Sequence, residues 1–129
     1  VRGLRTVSYA MAGAALTLTA LYLGPTTLVQ RQVVGPQVTL VQIIDDIVPL
    51  FPLLFAVAGT LVLVSTLRTR GVVIAHAIAA TAWMFYGLLL LLGSIFLEPP
   101  APVLTGTIAI WASLMHFGMA RAWAEQGVR

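Results

Sequence analysis

Charged positions along the chain fall into a few short clusters, and the intervals between those clusters are apolar. No Asp, Glu, Lys or Arg lies between Arg5 and Arg31, between Asp46 and Arg68, between Arg70 and Glu98, or between Glu98 and Arg121. Each interval can hold the ~20 consecutive apolar residues that an α-helix needs to cross a ~30 Å hydrocarbon core. The pattern predicts four spans, at about residues 7–23, 47–67, 72–97 and 103–122. The breaks between them are marked by residues that stop helices. Gly24-Pro25 ends the first span, Arg68-Thr69-Arg70 makes a tight turn after the second, and Glu98-Pro99-Pro100-Ala101-Pro102 closes the third, because proline blocks helix continuation. Residues 26–44, with Gln30, Arg31, Gln32, Gln37 and Gln42 among Val and Leu, read as an interfacial loop lying on the outer leaflet. The second span is expected to start after Asp45-Asp46, with Pro49 and Pro52 in its opening turns. Carboxylates there favour the positive end of the helix dipole.

Composition strengthens this reading. Hydrophobic residues make up 60% of the 129-residue chain and charged residues 9%, against roughly 25% charged in an ordinary globular domain. A soluble fold could not cover that apolar surface. The length allows one domain, so the expected architecture is an all-α, four-helix transmembrane bundle. The first span is expected to stay in the membrane, because three comparable spans follow and no small-x-small cleavage site precedes a polar region. Cysteine is absent, which excludes disulfides, thiolate metal sites and a cysteine nucleophile. Lysine and asparagine are absent as well, as in proteins of GC-rich genomes, and Val1 fits a GTG start codon.

The seven basic residues, all arginines, stand in ones and twos at segment ends, which excludes a nucleic-acid-binding patch and instead sets topology. With the amino terminus inside, the cytoplasmic face carries Arg2, Arg5, Arg68, Arg70, Arg121 and Arg129 against Glu125. The outer face carries Arg31 against Asp45, Asp46 and Glu98. The expectation is a multi-pass protein of the cytoplasmic membrane with both termini inside, anchored by Arg2, Arg5, Arg68, Arg70 and Arg121. An internal echo, Arg5-x-Val-x-x-Ala-x-Ala-x-Ala-Ala and Arg70-x-Val-x-x-Ala-x-Ala-x-Ala-Ala, raises a duplication of helical hairpins against chance similarity of Ala-rich helices.

Small residues let helices pack closely in lipid. Candidate packing faces are Ala10, Gly13, Ala14 and Thr17 on the first span, Ala75, Ala79 and Ala82 on the third, and Gly106, Ala109, Ser113 and Gly118 on the fourth. These faces can serve the bundle or contacts between copies. The candidate chemistry is His76 and His116. At 1.5 Å per residue, His76 lies ~9 Å beyond Arg70 and His116 ~8 Å before Arg121, so antiparallel neighbours bring them to one depth. An intramembrane ionisable residue is a functional hypothesis by default. The pair could ligate haem or a metal or relay a proton, or each could hydrogen-bond a neighbouring backbone or reach toward the nearby interface. Two ligands are too few for a closed zinc site.

Trp83 and Trp111 share a deeper level and are expected to face the bundle, where Thr81, Tyr86 or Thr107 could accept from their N–H groups. Asp45-Asp46 reads as a helix cap or a cation site at the outer mouth. No H-E-x-x-H, G-x-S-x-G, P-loop or dinucleotide fingerprint is present, so no enzymatic activity is expected. Small multidrug transporters of this size need a glutamate in the first span, which is uncharged here.

In size, topology and genome composition the chain resembles the small polytopic proteins of actinobacterial phage lysis cassettes, which act as holins. The resemblance implies accumulation in the cytoplasmic membrane, lateral association through small-residue faces, and membrane breach at a critical density. Two other readings stand beside it: an accessory subunit docking to other membrane subunits, and a bis-histidine haem or quinone carrier built on His76 and His116.

Overall fold

A computed structural model describes residues 1–25, 40–96 and 103–128. Among the described residues the protein is all-helical, with α1 (Arg2–Leu23), α2 (Leu40–Ile47), α3 (Leu50–Arg68), α4 (Val72–Phe96) and α5 (Val103–Glu125). Four of these, α1, α3, α4 and α5, are long and apolar enough to cross a membrane. Even the shortest, α3 with 19 residues, reaches ~28 Å at 1.5 Å per residue.

The expected spans match these helices, with differences at the ends. α1 begins five residues before the expected start, at Arg2, and α5 runs on to Glu125, where Arg121 pairs with Glu125 one turn away at 3.0 Å. The entry to the second span is more elaborate than expected. Asp45 and Asp46 lie inside a separate short helix, α2, and the spanning helix α3 starts only at Leu50. Pro49 explains the interruption: it lacks an N–H, and its ring would clash with the carbonyl four residues back, so α2 cannot continue through it. The capping role survives in altered form, because Asp45 Oδ1 accepts the backbone N–H of Phe51 at 3.0 Å. The expected outer loop lies outside the described residues as far as residue 39, as do Arg31, the segment Glu98 to Pro102, and Arg129.

The buried interior is largely apolar, but it also holds hydrogen-bonding side chains, while many large apolar ones are exposed. Ser8, Ser65, Thr66, His76, Ser113 and His116 are buried, while Ile74, Leu104, Ile108, Trp111 and Phe117 are each more than half exposed. Apolar side chains outside and hydrogen-bonding side chains inside make a fold whose solvent is hydrocarbon. With four helices long and apolar enough to cross a membrane, the fold is compatible with a multi-pass membrane bundle.

Packing is organised in two helix pairs. α1 lies mainly against α3 and α4 mainly against α5, with α3 joining the pairs through its contact with α4. Backbones approach closely at one glycine crossing in each pair. A Cβ on Gly59 would come within 2.9 Å of Leu16 Cγ and 3.1 Å of the Ala12 carbonyl oxygen. One on Gly87 would come within 3.0 Å of the Gly106 carbonyl oxygen. Between the pairs lie an alanine layer (Ala12, Ala58, Ala75, Ala79 and Ala82, with Val62) and an aromatic layer. In the latter, Phe55 sits 4.8 Å from Trp83 and 5.2 Å from Tyr86, and Phe51 sits 5.3 Å from Tyr86. The turn between α3 and α4 is closed by Thr69, in the left-handed region at φ 52°, and Gly71 at φ 69°.

The glycine crossing in the α4–α5 pair should be intolerant of bulk. Gly87→Leu is expected to destabilise the bundle by about 1–3 kcal/mol, the usual cost of overpacking. Gly13→Leu, where an added Cβ meets nothing within 4 Å, should change stability by less than ~0.5 kcal/mol. Unfolding by SDS titration in mixed micelles measures both.

Candidate functional site

The first helical turns of α1 and α4 and the last turns of α5 meet at the arginine-rich end of the bundle, and there the buried polar side chains converge. Ser8 on α1, His76 on α4, and His116 and Trp123 on α5 are at most 2% exposed. His76 and His116, placed at one depth by the sequence, are in direct contact, with their Nδ1 atoms 2.9 Å apart and ring centroids 5.1 Å apart. The outer edge of His76 is also engaged: its Nε2 lies 2.8 Å from Ser8 Oγ. Ser8 Oγ in turn accepts the indole N–H of Trp123 at 3.0 Å.

The geometry restricts where the protons sit. Only one hydrogen can lie between two facing Nδ1 atoms, so one ring donates and the other accepts. If the Ser8 hydroxyl donates to His76 Nε2, then His76 carries its proton on Nδ1 and gives it to His116, whose own proton sits on Nε2. In the opposite arrangement every bond beyond the Trp123 donor reverses. The four side chains form one chain, Trp123–Ser8–His76–His116, with two self-consistent proton patterns.

The sequence pointed to the two histidines and missed Ser8 and Trp123. Ser8 stands among alanines and glycine, and a single hydroxyl in such a stretch carries no spacing signal. The available clue was positional, since Ser8, Ala12 and Ala15 recur at helical spacing and all three are buried.

For the cofactor readings the structure shows that the two imidazoles hydrogen-bond each other through their Nδ1 atoms at 2.9 Å. Among the described residues no group of three or more His, Cys, Asp or Glu side chains comes together as a metal site. Ser8, His76 and His116 have the connectivity of a nucleophile, a base and an orienting group, yet Ser8 is fully buried and its oxygen is occupied by the indole of Trp123.

The expected packing faces separate into two groups. Ala75, Ala79, Ala82, Gly106, Ala109 and Ser113 are buried within the bundle, and Ser113 Oγ donates to the Ala80 carbonyl at 2.7 Å. Ala10, Gly13, Ala14, Thr17 and Gly118 are exposed on its outer surface. α1 packs with its other small face, Ser8, Met11, Ala12 and Ala15. The internal echo is not matched in burial: Ala75 and Ala79 face inward, whereas their counterparts Ala10 and Ala14 face outward.

The tryptophans separate as well. Trp83 is buried against Phe55, but its Nε1 has no hydrogen-bond partner among the described residues. Trp111, expected to face the bundle, is instead 64% exposed, because Ala109 and Ser113 occupy the inward face of α5 at that level. The anchors Arg2, Arg68, Arg70 and Arg121 are exposed, and Arg5 is half-buried.

A second hydrogen-bonded pair, unforeseen from the sequence, lies at the opposite end, where Tyr22 of α1 and Tyr86 of α4 bring their hydroxyls to 2.7 Å. Beyond it stands Asp45, whose carboxyl burial pushes above its ordinary range; Asp46 adds to the shift and the Phe51 and Leu50 N–H groups act against it.

Comparison with protein-family models, curated proteins and solved structures finds no match to this chain.

The buried chain should behave as a coupled unit. His76→Leu leaves His116 Nδ1 without its partner and Ser8 with the Trp123 N–H alone, and is expected to cost about 1–3 kcal/mol. His116→Leu should cost a similar amount. The double variant His76→Leu/His116→Leu should cost less than the sum of the singles, because removing both partners leaves fewer unsatisfied groups. A double-mutant cycle by SDS unfolding reads the coupling, and additive values would deny that the histidines act together.

Proposed function

We propose that the protein acts by lateral self-association in the cytoplasmic membrane, with both termini inside, and permeabilises that membrane in the manner of the holins it resembles. The observation that carries this reading is the outward face of α1. Ala10, Gly13, Ala14 and Thr17 are exposed although small, so they are free of the bundle's own packing. A helix facing only lipid gains nothing from small side chains, whereas a second helix can approach them closely. With the small faces of α4 and α5 consumed internally except at Gly118, α1 offers the most extensive of these small faces to a second copy.

The orientation rests on the arginine distribution and suits the placement of the exposed anchors at the end where α1 begins, α3 turns into α4 and α5 finishes. The reaction is physical rather than chemical: copies accumulate, associate through α1, and disrupt the bilayer once dense enough.

Inducible expression of the chain alone, with membrane potential and culture density followed together, tests the reading. The native chain should depolarise cells abruptly at a reproducible time. The double variant Gly13→Leu/Ala14→Leu, present in the membrane at equal amount, should depolarise them later or not at all. Growth with an intact potential despite abundant native protein would overturn permeabilisation and leave docking to other membrane subunits as the use of that face.

Orientation has its own test, made clean by the absence of native cysteine. Thr105→Cys, at the start of α5, should react with a membrane-impermeant maleimide on intact cells. Gln126→Cys, in the tail, should react only after the cells are opened. The reverse pattern would invert the topology.

A further inference from the structure

We propose that the interior of a single bundle is a proton path, running along the seam between the α1–α3 pair and the α4–α5 pair. In hydrocarbon a buried polar group is costly, and most of the buried interior here is Ala, Val, Phe and Leu. Ser65, Thr66 and Ser113 stand apart, but several of the other buried polar groups are aligned. On α4, His76, Trp83 and Tyr86 stand at i, i+7 and i+10, which is one helical face, and all three are buried. On α1, Ser8 and Tyr22 answer them across the seam, bonding to His76 and Tyr86. His76 to Tyr86 covers ~15 Å and Ser8 to Tyr22 ~21 Å along the helix axes at 1.5 Å per residue. The string therefore occupies most of a ~30 Å hydrocarbon core.

Trp83 supplies an independent sign of what passes there. It is 8% exposed, and its N–H, between the histidine and tyrosine pairs, has no partner among the described residues. A buried donor left open is a place for water. Between His76 and Trp83 the seam is lined by Ala12, Ala58, Val62, Ala75, Ala79 and Ala82. Such a methyl-lined stretch, ~10 Å long by helical rise, works as a constriction that conducts when hydrated and closes by dewetting. At the outer end Tyr86 packs on Phe51, whose N–H is held by Asp45, so a half-buried carboxyl stands at the exit.

The histidine chain can pass a proton while keeping its own proton count. In the pattern where His116 Nε2 is bare, a proton arriving there lets the His116 Nδ1 proton pass to His76 Nδ1. The His76 Nε2 proton then passes to Ser8 Oγ, and the Ser8 hydroxyl proton passes to a water molecule admitted beside it. One proton has entered and one has left, and the chain is in its other pattern. This path belongs to one copy of the chain and does not rest on self-association.

The test is the full chain reconstituted in liposomes at low protein density, with a trapped pH-sensitive dye and a separately trapped fluorescein-sized dye, under an imposed potential. Proton entry above the rate of protein-free vesicles, with the larger dye retained, is expected. His76→Leu/His116→Leu should lose it, and Trp83→Phe, which keeps the ring packing and removes the N–H, should lower it. Trp111→Phe, the same change on the outer surface, should leave it intact. Circular dichroism and gel filtration certify each variant as folded. If the histidine variant does not fold, Trp83→Phe against Trp111→Phe decides. Entry no faster than in protein-free vesicles, equal entry in folded native and Trp83→Phe proteins, or release of the larger dye together with protons would each overturn the path. The self-association reading stands apart, since it is judged by depolarisation of cells and its dependence on Gly13 and Ala14.

Discussion

The two ends of this bundle are held by polar side chains that find their partners inside the protein. A soluble four-helix bundle is held by excluding apolar surface from water, but between helices in lipid that force is absent, because the surrounding chains are as apolar as leucine. Close packing and interhelical hydrogen bonds remain. The chain from Trp123 through Ser8 and His76 to His116 ties three helices at one end, and the Tyr22–Tyr86 bond ties two at the other. Between these clips the alanine layer and the glycine crossings allow the short interhelical distances at which the hydrogen bonds form.

The need for those partners also settles which face of α1 turns inward. Two small-residue faces were on offer, Ala10-Gly13-Ala14-Thr17 and Ser8-Met11-Ala12-Ala15, and neither is distinguished by size. Burying the second satisfies Ser8, His76 and the Trp123 indole together. Burying the first would leave the serine in lipid and two α4–α5 groups short of a partner. The small face left outside is thus a consequence of satisfying the polar interior, and that same face is what a second copy can approach.

The division between what was readable in the sequence and what was not follows physical lines. The spans were legible because a missing charge over twenty residues is a one-dimensional signal that needs no partner to interpret. The shared depth of His76 and His116 was legible for a related reason: the arginines at the Arg68-Thr69-Arg70 turn and at Arg121 mark the interface, and helical rise converts sequence offset into depth. Rotation about each helix axis was not legible. Every side of α1 carries small residues, so its facing depends on Ser8 meeting residues 68 and 115 positions away. The outward turn of Trp111 has the same origin, since its neighbours Ala109 and Ser113 claim the contact with α4. The short helix α2 was hidden by its glutamine-rich surroundings, although Pro49 already forbade one continuous helix from Asp45 into the span.

The two functional readings make opposite demands on the same fold, and the structure separates them in space. Self-association uses the outside of α1 and asks nothing of the interior except that it hold its shape. A proton path uses the seam and asks nothing of the outside. A bundle meant only as a rigid unit for assembly would gain from an apolar interior, since replacing buried polar groups with well-packed hydrophobic ones is frequently neutral or stabilising. Keeping two histidines, two tyrosines, a serine and an open indole N–H along one line is therefore costly for a purely structural interior. The alignment of those groups on one face of α4, opposite their partners on α1, is the feature that packing alone does not require.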